Sequence, residues 1–146
     1  MSLYLYGLGK SRSLRCEWML EELEAPYEFV AVALMEGEGR SPEYLAINPC
    51  GKVPALRDGD LTLFESAAIC TYLGDKFPDT NLVPRAGSRE RGIYNQWMFY
   101  CMAGLEQPLW VYGKHTFVYP EADRVMEILP STAREFKRAK KVVSQA

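Results

Sequence analysis

The sequence predicts an α/β domain over residues 1–78, a linker over 79–88 and a partial all-helical domain over 89–146. Three observations carry this reading. Up to Pro78, apolar runs of strand length alternate with amphipathic helical stretches. Asp58-Gly59 sits between two short apolar runs, a strong hairpin signal. The segment PDTNLVPRAGS, Pro78 to Ser88, is turn-rich, and no strand-and-hairpin pattern recurs after it.

Each element has its own signal. Residues 2–6 are rich in Leu and Tyr and alternate weakly, so a first strand is expected there. Cys16, Met19, Leu20 and Leu23 follow at i, i+3, i+4 and i+7, the stripe of an amphipathic helix. Ser11 and Ser13 both suit its N-cap, and Pro26 stands beyond its end. Tyr27 to Leu34 is rich in strand formers and reads as a second strand. MEGEGR, residues 35–40, reads as a mobile loop. Ser41-Pro42 is a cap followed by proline at the first helical position, so a short helix starts there. Asn48-Pro49 stops it, because a residue before proline avoids helical angles. VPAL and LTLFES are then the antiparallel strands of the hairpin. Ser66 is the expected cap of a third long helix, with Ile69, Tyr72, Leu73 and Phe77 on one face and Pro78 past its end. The order is therefore βαβαββα. Beyond the linker, Ser88 caps a helix carrying Ile93, Trp97, Cys101 and Leu105, with Pro108 as a kink. A last helix is expected from about Pro120, carrying Val125, Leu129, Thr132, Phe136, Ala139 and Val143. Pro130 should break or bend it, and Ser131 should recap it.

Composition narrows the function. Of the 146 residues, 48% are hydrophobic and 25% charged, the make-up of a globular protein with a core. A formal net charge of -2 favours neither nucleic acid nor an anionic membrane. The basic FKRAKK stretch reads as a solvated helix face. No apolar run approaches the roughly 18 residues of a spanning helix, and MSLYLYG lacks the features of a signal peptide. Neither a nucleic-acid nor a membrane partner is expected. Cys16, Cys50, Cys70 and Cys101 are widely spaced and form no C-x-x-C, which fits reduced thiols in a cytoplasmic protein. His115 is the single histidine, and no metal site is expected.

Gly9-Lys10-Ser11, between a strand and a helix, suggests a phosphate-binding loop. The motif G-x-x-x-x-G-K-[ST] would need glycine at position 4, where Tyr4 stands. The geometry survives that failure, because a helix N-terminus presents free amides and positive potential to any anion, a thiolate included.

These stretches resemble a glutathione S-transferase. The resemblance rests on SRSLRCEWMLEELEAPYE, on SPEYLAINPCGKVPALRDGDLTLFESAAICTYLGDKFP, and on the linker into YNQWMFY. It covers nearly the whole chain and is dense over residues 3–100. It implies a thioredoxin-like N-terminal domain, a helical C-terminal domain, and glutathione as co-substrate with a small hydrophobic electrophile. It also implies a homodimer and a cytoplasmic location. Val53-Pro54 matches the family's Val-cis-Pro turn, whose backbone pairs with the cysteinyl part of glutathione. Glu65 and Ser66 match the pair that holds the γ-glutamyl end. Lys52 matches a basic position at the glycyl end, and Arg40 is a looser candidate there.

The family places Ser, Cys or Tyr where the first strand meets the first helix. Ser11, four residues before Arg15, resembles the serine of theta- or beta-like bacterial-type enzymes. Ser13 is the alternative, and Tyr4 and Tyr6 are tyrosine-class candidates within the strand. The serine would donate a hydrogen bond to the sulfur, and the sulfur would be the nucleophile. Conjugation, thiol transfer, peroxide reduction and a non-catalytic binding or assembly module remain open at this point. The family's helical domain usually runs past residue 146, so the chain looks truncated. The expectation is exposed apolar faces on the last two helices, with low stability or tight association. Cys50 stands beside the glutathione loop, where a mixed disulfide is one reading and a tolerated loop cysteine the other.

Overall fold

Alternation along the first strand sets the architecture. In the computed structural model, which describes residues 2–145, β1 (Leu3–Gly7) sends Leu3 and Leu5 to one face of a sheet. Tyr4 and Tyr6 go to the other. Successive side chains of a strand point to opposite faces, so both faces of this sheet are packed. Met1 and Ala146, the outer bounds of the two predicted domains, lie outside the described residues.

The chain divides into two units, Met1–Ser88 and Arg89–Ala146. The first runs β1, α1 (Ser13–Glu22), β2 (Tyr27–Ala31), α2 (Pro42–Leu45), β3 (Ala55–Asp58), β4 (Leu61–Phe64) and α3 (Ser66–Lys76). The four strands form one mixed sheet in the order β2-β1-β3-β4. β1 pairs parallel with β2 and antiparallel with β3, and β3 pairs antiparallel with β4. This is the thioredoxin-like arrangement expected. Leu3, Leu5, Cys16, Leu20, Leu56, Ile69 and Leu73 close the core on one face, between sheet, α1 and α3. Tyr6, Val32, Tyr44 and Ala55 close the other, under α2.

Several local expectations are corrected. The second strand ends at Ala31, not Leu34. Residues 35–40 lie in two short 3-10 turns, Leu34–Glu36 and Glu38–Arg40, with Gly39 buried, rather than in a loose loop. The hairpin loop is Gly59-Asp60, since Asp58 pairs with Leu61. Gly59 takes the positive φ of +59° that the first position of a tight hairpin turn demands. Asp58 stays in the strand, where its carboxylate accepts from the Tyr72 hydroxyl at 2.6 Å and pairs with Lys76. That clamp ties the hairpin to α3. Ser41 caps α2 as expected, accepting from the Tyr44 amide at 3.1 Å.

The second unit runs α4 (Arg89–Tyr100), a π-helical stretch (Cys101–Glu106), α5 (Gln107–Gly113), a second π-helical stretch (Lys114–Val118) and α6 (Leu129–Val143). Pro108 therefore sits just after a widened turn. Its ring crowds the carbonyl four residues back and it has no N–H to give, so a locally wider helix accommodates it. Residues 120–128 do not begin the last helix; they contain two 3-10 turns, Glu121–Asp123 and Met126–Ile128. Pro130 does not interrupt that helix but lies in its first turn, where a missing N–H costs nothing. Ser131 does not recap it; its hydroxyl donates back to the Ile128 carbonyl at 2.7 Å. α5 packs on α6, and the Tyr100 hydroxyl donates to the Ala139 carbonyl at 3.2 Å. His115 is structural, accepting the Val125 amide on Nδ1 at 3.0 Å. Phe99, Leu109, Phe117 and Met126 are exposed.

Candidate functional site

Strand register brings the predicted residues to one end of the sheet. Tyr6 pairs with Ala55, and Ala55 with Phe64. The end of β1, the residues before β3 and the residues after β4 therefore lie side by side. They carry Ser11, Val53-Pro54 and Glu65-Ser66 respectively.

The strand-to-helix turn distinguishes the two serines. Ser13 is wholly buried, at 0% exposure, and its hydroxyl accepts the Leu8 amide at 3.2 Å. Ser11 is half-buried and sits 2.9 Å, Oγ to Oγ, from Ser13. Its hydroxyl donates to the Leu8 carbonyl at 2.5 Å and accepts the Ser13 amide at 3.1 Å. Neither serine is the cap: the N-cap position is Arg12, with no side-chain cap bond, and the helix starts at Ser13. Ser13 thus fastens the turn from within, and Ser11 reaches the surface. Lys10 holds a positive φ of 60° here, a conformation a non-glycine residue seldom adopts. Tyr6 is buried among Val32, Tyr44 and Ala55, and the Arg57 guanidinium stands 4.3 Å from the Tyr4 ring centroid. The structure places both tyrosines within the sheet layer.

The Val53–Pro54 peptide is cis, as expected. Asn48 shapes the approach to it. This residue is 2% exposed; its side chain accepts the Cys50 amide at 3.0 Å and donates to the Lys52 carbonyl at 2.6 Å. The buried Tyr44 hydroxyl donates to the same carbonyl at 2.7 Å. Burial raises the Tyr44 pKa to about 12, so it remains a donor across the neutral range. Asn48 was legible in the sequence only as a helix stop. Its short amide before a tight turn is the signal for this second role.

At the other side, Glu65 holds φ 70° and ψ 112°, a sparsely populated conformation for a side-chain-bearing residue. It is exposed and immediately precedes α3. Ser66 is not the cap but the first helical residue, and it is 3% exposed. Its hydroxyl accepts from the Arg15 guanidinium at 3.3 Å. Arg15 is a site neighbour that sequence reasoning used only as a spacing mark. It stands in the first turn of the helix that follows Ser11, beside the start of α3. Behind them, Cys16 is fully buried and its thiol donates to the Ser66 carbonyl at 3.9 Å; the neighbouring Cys70 thiol and that burial push its pKa up, so it stays protonated. Cys50 is exposed, and Lys52 and Arg40 are exposed near the same turn.

The assembled groups are a surface hydroxyl, a helix N-terminus with Arg15, one exposed carboxylate, and two cations beyond the cis-proline. Such a set suits an extended ligand with a carboxylate at each end and an ammonium near one of them. Among the described residues, no group of three or more His, Cys, Asp or Glu could hold a metal ion, and no helix is long and apolar enough to cross a membrane.

The chain is similar to known proteins. The family model described as "Glutathione S-transferase, N-terminal domain" matches residues 1–75. Glutathione S-transferase 1 of Zea mays is 52% identical over 73 residues, which cover 49% of this chain and 34% of that protein. Glutathione S-transferase F10 of Arabidopsis thaliana is 43% identical over 102 residues, covering 67% and 46%. The chain thus spans less than half the length of these curated relatives. The crystal structure of glutathione transferase URE2P6 from Phanerochaete chrysosporium in complex with oxidized glutathione superposes with a TM-score of 0.89 at 29% identity, over 99% of this chain and 67% of that one. Neither curated relative is labelled theta or beta, and one carries the F designation, so that finer subclass gains no support. By its fold and by the family match over residues 1–75, the chain belongs to the glutathione S-transferase family.

Proposed function

We propose that this chain binds glutathione and activates its thiol for attack on a small hydrophobic electrophile, in the cytoplasm and as a homodimer. The observation that carries the reading is the strand register that gathers Ser11, cis-Pro54, Glu65 and Ser66 at one end of the sheet. The Ser66 hydroxyl, the N-terminus of α3 and the Arg15 guanidinium receive the γ-glutamyl carboxylate, and Glu65 accepts from the ammonium. The Val53 backbone pairs with the cysteinyl unit, which aims the sulfur at Ser11. Lys52 and Arg40 face the glycyl carboxylate.

A free thiol titrates near ~8.5, so little of it is thiolate at neutral pH. Each unit of lowering corresponds to about 1.4 kcal/mol of thiolate stabilisation. Ser11 is built to supply part of it. A hydroxyl proton rotates freely, so it can turn from the Leu8 carbonyl to the sulfur. The Ser13 amide and hydroxyl then support the Ser11 oxygen from behind. The serine mechanism does not depend on the theta or beta subclass.

The reading is tested by a thermal melt with and without millimolar glutathione, followed by conjugation kinetics with an activated aryl halide. Ligand at about 100 times its dissociation constant adds about 2.7 kcal/mol of stability. Ser11→Ala should lower kcat/KM by about 10- to 100-fold while keeping that thermal shift, since one to two pKa units of thiolate stabilisation are lost. A melt that glutathione leaves unmoved sinks the proposal and favours a non-catalytic module.

A further inference from the structure

Cys16 and Cys70 face each other where α1 packs on α3. The Cys70 sulfur stands 3.7 Å from the Arg15 carbonyl oxygen, which belongs to the peptide group that leads into Cys16. The Cys16 sulfur stands 3.9 Å from the Ser66 carbonyl oxygen. Inside a helix a carbonyl accepts the amide four residues on, and for Ser66 that amide belongs to Cys70. Each sulfur therefore lies against the peptide group of the other cysteine. This reciprocal placement on two helices in contact brings the sulfurs together. Their surroundings differ. Cys16 is 0% exposed, whereas Cys70 is half-buried and its contact with Arg15 lies at the surface. The Cys16 thiol beside it lowers the Cys70 pKa, partial burial opposes this, and the Arg15 guanidinium lowers it further. The thiolate is the nucleophile in cysteine chemistry, so the more accessible of the two sulfurs is also the more reactive.

We propose that Cys16 and Cys70 are a dithiol that hydrogen peroxide converts to an intramolecular disulfide, cross-linking α1 to α3 beside the Arg15–Ser66 contact. The Cys70 thiolate attacks one peroxide oxygen and the O–O bond breaks. The other oxygen leaves as hydroxide and takes up the proton that Cys70 released, so Cys70 becomes a sulfenic acid and one water departs. The Cys16 sulfur then attacks the Cys70 sulfur, the S–O bond breaks, and the departing hydroxide carries off the Cys16 proton as a second water. Two thiols and one peroxide give one disulfide and two waters. Burial shields Cys16 from the peroxide and keeps it beside the sulfenic acid that it resolves. A thiol reductant opens the bond again by exchange, the behaviour of a redox-sensing disulfide rather than a permanent one. The inference does not depend on which ligand the neighbouring site binds.

The test treats the folded full chain with hydrogen peroxide, in a Cys50→Ser background that removes the exposed thiol. Mass spectrometry without reductant should show the loss of two hydrogens and a peptide that joins Cys16 to Cys70. Dithiothreitol should reverse both. The cross-link closes a long loop in the unfolded chain, so the oxidised form should melt about 10 °C higher than the reduced form. Cys70→Ser, at a partly exposed position, should abolish the linked peptide and the rise in melting temperature, whereas Cys101→Ser should keep both. Cys16→Ser should behave like Cys70→Ser; if that core substitution does not fold, the contrast between Cys70→Ser and Cys101→Ser decides the matter. Oxidation that stops at sulfenic or sulfinic acid overturns the proposal, as does a bond through Cys101 or a Cys16–Cys70 link that forms only in denaturant. So does a linked chain that melts no higher than the reduced one, because the folded helices would then not hold the sulfurs at bonding distance.

Discussion

The two units of this chain bury their apolar residues very differently. In Met1–Ser88 a sheet is packed on both faces, and leucines at positions 3, 5, 20, 56 and 73 are at most 2% exposed. In Arg89–Ala146 the large apolar side chains Phe99 and Phe117 are 74% and 73% exposed, while the buried positions Pro108, Gly113, Thr132 and Ala139 are small. The difference follows from geometry. A sheet flanked by α1 and α3 on one face and α2 on the other closes two apolar layers by itself. Long helices in contact bury only the stripe along their contact and leave their other faces open. The candidate site belongs to the unit whose sheet is packed on both faces.

The sharpest way to break this comparison is to delete apolar groups from both units. Leu20→Ala, in the core of the first unit, should cost about 3 kcal/mol in urea denaturation. A cost below about 1 kcal/mol would mean that the packing of α1 against the sheet is loose. Next comes the polar support of the site. Asn48→Ala removes two hydrogen bonds from a buried turn and should cost about 2 kcal/mol, with glutathione affinity falling alongside; unchanged affinity would show that the turn holds its shape without the amide.

The Asp58 clamp is a smaller, pH-dependent contribution. Its hydrogen bonds from Lys76 and Tyr72 lower the Asp58 pKa in the folded chain. Its stabilising effect is therefore complete above the unfolded carboxylate value near ~3.9. It is lost as pH falls through the lower folded value. Tyr72→Phe should cost about 1 kcal/mol at neutral pH, and Asp58→Asn should flatten the acid limb of a stability profile. An acid limb identical in the two chains would remove this clamp from the account. Smallest of all, Phe117→Ser should change stability by less than about 0.5 kcal/mol and should reduce self-association seen by light scattering. A loss above 1 kcal/mol would mean that this side chain is covered in solution.

Much of the first unit was legible because its signals are local. Glycine after Asp58 marks a hairpin, proline after serine marks a helix start, and apolar spacing marks the faces of α1 and α3. The helical unit was less legible for a physical reason. Proline is read as a breaker, yet at the second residue of a helix it is harmless, and nothing in the local pattern says where Pro130 falls. Likewise Ser66 looked like a cap from its neighbours but is already inside its helix, because Glu65 takes the unusual backbone conformation instead.

The sequence by itself determined the element order of the first unit, since caps, turns and apolar spacing depend on neighbours a few residues apart, and its family resemblance implied the cis-proline turn. Tertiary structure alone decided which serine reaches the surface and that Arg15 meets Ser66. Each of those depends on distance between segments far apart in the chain, and only packing sets that distance.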